Sequence, residues 1–264
     1  RIALVANMKD EIDWGADAPS DAGAEFDKRE TIESIAGAME DDGHWVTFCR
    51  ADQTLPEALL NVRPHIVFNI AEGLGGDGRE AQAPALCELL GIPYTASRVL
   101  ANAVSLDKTH TKRIWQQSGL PTPRFFEARS ATEVDDRGMT YPLFVKPVRE
   151  GTGMGVDMGA IIRTRQALIE RVAWTVETYK QPALVEEYLP GREFTVGFIG
   201  NPGFPARRRR PWLYDNDGYH FFPVMELDSS ISATPGVYGH DAKSYDIGAP
   251  GAPGYICPTE IPDS

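Results

Sequence analysis

The chain has 264 residues, room for two or three domains at roughly 100–200 residues each, and its 42% hydrophobic and 24% charged content is an ordinary globular balance. Its 26 Lys and Arg against 38 Asp and Glu give a net charge of −12, a mean field that repels phosphate and so argues against nucleic acid or anionic membrane as a partner, though not against a small anion in a local basic pocket. Cys49, Cys87 and Cys257 are far apart and form no CxxC pair. No run approaches about 18 apolar residues, and the opening Arg1-Ile2-Ala3-Leu4-Val5 has no signal-peptide architecture, so a reduced, cytoplasmic setting is the expectation. The chain begins without Met and ends in Ile261-Pro262-Asp263-Ser264, with no terminal helix or tail.

In chain order, residues 2–6 open as an apolar strand. Over 25–42, Ile32, Ile35, Ala36 and Met39 recur at helical spacing, with Gly43 as the stop. Residues 45–49 and 65–70 are further strands, the second nearly continuous in apolar residues, and a helix over about 79–90 closes at Gly91. Strands separated by helices predict a parallel, doubly wound α/β sheet. In the middle third, Asp107 caps a helix running to Ser118, residues 142–147 form a strand, and a Gly-rich turn follows over 150–155. Ile161 and Ile162 close another strand, and Thr164 caps a helix whose Leu168, Ile169, Val172 and Val176 share one face. The last third reads as antiparallel, with strands over 183–187, 193–199 and 221–227 and a turn at 200–203. A Gly/Ala/Pro loop over 248–254 suits neither helix nor sheet.

Three glycines at alternate positions let backbone N–H groups approach an anion closely, although the same pattern serves a plain hairpin turn. Lys146, leaving a strand just upstream, would put a point charge beside that turn. In Val185-Glu186-Glu187-Tyr188-Leu189, alternation turns one Glu inward and the other outward, as either a solvated edge or an acceptor for an amino or hydroxyl group. Glu193 lies across a turn from them. The Arg207, Arg208, Arg209 and Arg210 run has no aromatic interleaving and reads as a solvated loop. The five histidines show no metal-ligand spacing, and there is no Gly-x-Ser-x-Gly elbow.

The order of these segments resembles that of the D-alanine–D-alanine ligase-like ATP-grasp family of carboxylate–amine ligases. The resemblance rests on Phe68-Asn69-Ile70-Ala71-Glu72-Gly73 with Gly75-Gly76-Asp77-Gly78, Leu90-Gly91-Ile92-Pro93-Tyr94-Thr95, and Ser105-Leu106-Asp107-Lys108 with Lys112. It continues through Gly119-Leu120-Pro121-Thr122-Pro123, Val145-Lys146-Pro147 with Arg149-Glu150-Gly151, and Val185–Leu189 with Gly191-Arg192-Glu193-Phe194-Thr195-Val196. Asp241-Ala242-Lys243 and Cys257-Pro258 complete it. It implies an α/β ATP-grasp fold: an N-terminal Rossmann-like parallel-sheet domain over 1–97, a small central α+β subdomain over 98–182, and the antiparallel start of a C-terminal ATP-grasp subdomain over 183–264. It also implies ATP as cofactor, with Mg²⁺, and C–N bond formation through an acyl phosphate. Lys108 and Lys146 would contact the ATP phosphates, and Glu150, Gly151, Thr152 and Met154 would cover them. Glu186 would accept from the adenine amino group, with Glu187 and Leu189 as the adjoining hinge, and Glu193 would hold the ribose. Glu72, Arg149 and Lys243 form the expected catalytic set, with Lys243 arriving on a lid. Small-molecule substrates, an amino acid or a peptide, are the expected partners, with no nucleic acid and no membrane; a homodimer is allowed.

The sequence departs from that family at Asn7-Met8-Lys9-Asp10-Glu11-Ile12-Asp13-Trp14, at Glu72 where the family carries His, and at Ser244 where it usually carries Tyr. All three bear on the amino-acid site, so D-alanine is not the expected substrate, and Glu72 is a candidate acceptor for a substrate ammonium. The family's Asp and Glu-x-Asn metal ligands have no counterpart after Cys257; the expectation is a chain cut before them and catalytically incomplete as it stands. The alternatives are a noncatalytic ATP-binding or scaffold protein, and a ligase for a peptide or natural-product precursor.

Overall fold

A computed structural model describes residues 1–201 and 211–261. The arginine run at 207–210 lies outside the described residues, as does part of the turn at 200–203. The chain divides into two compact units, Arg1–Gly155 with Gly159–Tyr188, and Val156–Met158 with Leu189–Ser264.

The first unit opens with strand β1 (Ile2–Ala6), helix α1 (Arg29–Asp41), strand β2 (Val46–Arg50), helix α2 (Leu55–Val62), strand β3 (Ile66–Asn69) and helix α3 (Gln82–Leu90). The three strands form a parallel sheet in the order β2-β1-β3, as the alternation of strands and helices predicts. The alternation of side chains along β1 explains the two layers packed on it. Ala3 and Val5 join Leu55, Leu59, Ala83 and Cys87 on one face, and Leu4 and Ala6 join Ile32, Ile35 and Met39 on the other.

Two helices follow, α4 (Val99–Leu106) and α5 (Lys108–Gln117), then strands β4 (Phe125–Ala128), β5 (Leu143–Pro147) and β6 (Ile161–Ile162), helix α6 (Arg165–Tyr179) and strand β7 (Ala183–Glu187). The strands form an antiparallel sheet in the order β4-β7-β5-β6. Both caps read from the sequence are present: Asp107 accepts from the His110 amide and Thr164 from the Ala167 amide. Leu168 and Val172 of α6 pack with Leu143 and Val145 of β5 and with Ala183 and Val185 of β7. Alternation along the strands therefore sends Phe144, Lys146 and Glu186 to the sheet face away from α6.

The second unit contains strands β8 (Glu193–Thr195), β9 (Phe198–Gly200), β10 (Tyr219–Phe221) and β11 (Met225–Asp228), the short helix α7 (His240–Lys243) and strand β12 (Gly254–Ile256). One antiparallel sheet runs β12-β11-β8 and another pairs β9 with β10.

Some expected boundaries move, for physical reasons. The helix expected over 25–42 begins at Arg29, because Glu25 and the Asp27 carbonyl are drawn into tertiary contacts. The strand expected over 193–199 is two strands in different sheets. Its partner over 221–227 breaks at Pro223, which lacks the N–H a ladder needs. Gly254, expected in the loop, begins β12; a Cβ there would lie 3.3 Å from Asp228 Cβ, so the glycine permits close strand approach. The short helices α2 and α4 and strand β4 have no counterpart in the sequence reading.

Candidate functional site

The face of the antiparallel sheet away from α6 carries a compact charged cluster. Register places Glu186 on β7 opposite both Phe144 on β5 and Phe125 on β4. Lys146 Nζ lies 2.6 Å from one Glu186 carboxylate oxygen, and Lys112 Nζ, from α5, lies 2.7 Å from the other. Each ammonium also lies over a ring, Lys112 at 5.1 Å from the Phe125 centroid and Lys146 at 5.7 Å from that of Phe144. Lys112 further donates to Thr122 Oγ1 at 2.5 Å. Burial raises the Glu186 carboxyl, but Lys146 and Lys112 outweigh it, so the group is held below the usual carboxylate range.

Lys108, at the start of α5, donates to the carbonyls of Val148 and Glu150, where the chain leaves β5. Burial, reinforced by the charge of Lys146, pushes its ammonium down to about 8. Lys108 thus lies beside Lys146, and among the described residues the only carboxylate ion-paired with any of Lys108, Lys112 and Lys146 is Glu186; that donor set suits a polyphosphate.

The Gly-rich turn is held by carboxylates from the start of the chain. The Gly151 amide donates to Glu25, and the Gly155 amide to Asp21 Oδ2 at 2.8 Å, with the Tyr179 hydroxyl donating to the same Asp21 carboxylate. Arg79 donates to Glu25 at 2.7 Å and to Glu150 at 3.3 Å. Thr152, Gly153 and Gly155 have φ of 49°, 75° and 71°, so the turn has a left-handed backbone that is strained at Thr152. A Cβ on Gly155 would lie 2.6 Å from Pro147 Cγ, which seats the turn against the end of β5. Met154 is buried and donates its amide to the Gly151 carbonyl. Arg149 is fixed by Asp107 and Asp77, at 3.2 and 3.3 Å.

A cavity of about 400 Å³ adjoins the turn, lined among others by Glu25, Arg79, Arg149, Glu150 and Met154. Gly73 lines it; the adjacent Glu72 does not. Burial, with the charges of Glu25 and Glu80, pushes the Glu72 carboxyl up to about 7. Glu187 accepts from the Thr140 amide at 3.3 Å.

In the second unit, Lys243 ends α7 with its ammonium 4.9 Å from the Tyr238 ring centroid. Burial lowers its pKa, and the negative charge of Glu193 on β8 opposes that. Leu189 is exposed. Arg192 forms a bidentate pair with Glu226, at 2.7 and 2.6 Å.

Two participants go beyond the roles read from the sequence. Lys112, named there only as part of the resemblance, lies four positions from Lys108, one turn on along the same helix face. Glu25 had no local signal, because its partner is 126 residues away.

The described residues thus carry an α/β fold with an anion-suited lysine cluster beside a Gly-rich turn, as nucleotide-binding proteins do. The D-ala D-ala ligase C-terminus family matches residues 114–221. The chain is 31% identical over 239 residues to the D-alanine–D-alanine ligase of Moorella thermoacetica, covering 87% of this chain and 68% of that protein. It is 35% identical over 209 residues to an uncharacterized protein of Sinorhizobium fredii, covering 76% of this chain and 60% of the other. With the D-alanine–D-alanine ligase of Chromohalobacter salexigens it shares 36% identity over 169 residues, 63% of this chain and 51% of that one. The fold matches the D-alanine–D-alanine ligase of Bacillus anthracis with a TM-score of 0.65 at 18% identity, over 99% of this chain and 72% of that one. The same enzyme complexed with ATP matches with a TM-score of 0.60 at 17% identity, over 86% and 65% of the two chains. The fold is ATP-grasp, and the chain belongs to the D-alanine–D-alanine ligase family. It spans 60% and 51% of the first two relatives.

Proposed function

We propose that this chain provides the nucleotide grasp and a substrate cavity of an ATP-dependent carboxylate–amine ligase that forms a C–N bond through an acyl phosphate. The observation that carries this reading is the pairing of Lys112 and Lys146 on Glu186, with Lys108 close enough to Lys146 to feel its charge, next to the Gly-rich turn. ATP, when bound, supplies the phosphoryl group that activates the carboxylate. Lys146 and Lys108 hold its negative charge, and Lys146 exchanges the Glu186 carboxylate for phosphate oxygens. Glu186, so released, accepts from the adenine amino group, next to Glu187 and Leu189. The turn over residues 150–154 covers the phosphates, the Gly151 amide exchanging Glu25 for phosphate oxygen while the Met154 amide keeps its bond to the Gly151 carbonyl, and Glu193 takes the ribose hydroxyls. Arg149, fixed by two carboxylates, offers a positioned cation for charge developing on the acyl phosphate, and Lys243 adds a second. Glu25 joins Glu72 as a candidate acceptor for a substrate ammonium; it lines the cavity.

Among the described residues, no group of three or more His, Cys, Asp or Glu side chains is arranged to hold a metal. No described helix is long and apolar enough to cross a membrane.

Calorimetric titration with ATP tests the reading. Lys146→Ala should weaken binding at least tenfold while leaving the melting temperature within a few degrees, because the side chain is one quarter exposed. Unchanged affinity would remove the grasp assignment and favour a scaffold protein.

A further inference from the structure

The cavity beside the Gly-rich turn is walled on one side by residues 14–26, a segment outside the motifs that carry the family resemblance. Trp14, Ala18, Pro19, Ala22 and Phe26 line it. The rings of Trp14 and Phe26 lie 5.2 Å apart with planes inclined by 34°. Phe26 is buried, whereas Trp14 is 37% exposed. Gly23 makes this arrangement possible: its φ is +70°, and a Cβ there would lie 2.7 Å from Trp14 Cζ2. A side chain at position 23 would push the indole away.

The remaining lining is charged in both senses. Glu25 and Glu150 are bound by Arg79, and Arg149 is bound by Asp77. Such a lining offers partners to both ends of a zwitterion, while an indole face offers offset stacking to a planar group. The volume of about 400 Å³ falls within the roughly 300–1,000 Å³ of small-molecule sites and far exceeds the needs of a methyl side chain.

We infer that the cavity receives an amino acid with a large, planar apolar side chain, and that Trp14 and Phe26 determine that choice. The inference rests on the ligase reading only for calling this ligand a substrate; binding and selectivity stand on the cavity itself.

Calorimetric titration of the chain with D- and L-phenylalanine and D- and L-alanine, with and without ATP, tests it. One enantiomer of phenylalanine should bind at least tenfold more tightly than either alanine. Trp14→Ala should remove most of that preference with little effect on alanine, and Trp14→Phe should keep it. Gly23→Val, which displaces the indole, should behave as Trp14→Ala does. Alanine binding as tightly as phenylalanine, equal weakening of all four ligands by Trp14→Ala, or no amino-acid binding would each overturn the inference. Selective phenylalanine binding without ATP binding would instead sink the ligase reading and leave the cavity assignment standing.

Discussion

Lys112 and Lys146 share one carboxylate, each bound to a different oxygen of Glu186, at 2.7 and 2.6 Å. They come from different elements, α5 and β5, so the carboxylate ties helix to sheet. With one negative charge between two positive ones, the cluster carries a net positive charge that an arriving anion would balance. Lys112 and Glu186 keep only 7% and 10% of their side-chain surface, so little solvent screens them.

Glu186→Gln should therefore destabilise the first unit, because it leaves two facing ammonium groups without a counter-ion. Breaking a buried pair costs about 3–5 kcal/mol, and the partial exposure of Lys146 places this case toward the lower end. The folded-state pKa of Glu186 is lowered, so the stability it contributes is present above the ordinary carboxylate range and is lost as pH falls through the lowered value. Urea unfolding of both proteins across the acid range measures the difference, which should shrink toward low pH.

Lys108 makes nucleotide affinity depend on pH. Its ammonium titrates at about 8 in the free protein, and a bound phosphate would raise that value. ATP affinity should be steady just below this point and fall by up to about tenfold per pH unit above it. Calorimetry in buffers of different ionisation enthalpy should detect proton uptake on binding. Lys108→Met should bind more weakly and lose both the alkaline fall and the uptake.

Glu72 should act on stability in the opposite sense to a paired carboxylate. Its folded-state pKa is raised to about 7, so the stability linked to its protonation is fully present below the unfolded value and is lost as pH rises through about 7. Glu72→Gln, neutral throughout, should be more stable than the parent at pH 8 by on the order of 1–2 kcal/mol after allowance for solvent screening, with no gain at pH 4. Thermal melts at the two pH values decide this.

The Gly-rich turn should tolerate no side chain at its last glycine. Gly155→Ala places a Cβ 2.6 Å from Pro147 at a φ of +71° and should cost about 2–4 kcal/mol. Gly191→Ala, with nothing within 4 Å of its Cβ and no positive φ, is the matched control and should change stability by less than about 1 kcal/mol. Denaturant midpoints of the two variants test the contrast.

What was legible in the sequence was what local chemistry determines. Asp107 and Thr164 announce their helices because a cap is satisfied within three residues. Strand alternation puts Glu186 and Glu187 on opposite faces, and the first of them is the buried one. The α6 face is readable because Leu168 and Val172 recur at helical spacing. What stayed hidden depends on distant partners. Nothing near Glu25 or Asp21 says that their carboxylates meet the amides of Gly151 and Gly155. The run over 193–199 looks continuous because it is two pairings with different strands, and only the position of Pro223 across the sheets reveals the break. The helix α2, only eight residues long, is too short for periodicity to single out.

The contacts of Asp21 and Glu25 with the Gly-rich turn also bear on modularity. They span 134 and 126 positions of the chain. A fragment starting after the parallel sheet would retain every lysine of the cluster yet leave the amides of Gly151 and Gly155 without these acceptors. The turn is therefore not a transplantable cassette: its shape belongs jointly to the β5 end that seats it and to an N-terminal segment, and a chimera that exchanges that segment would re-specify the turn as well as the cavity wall.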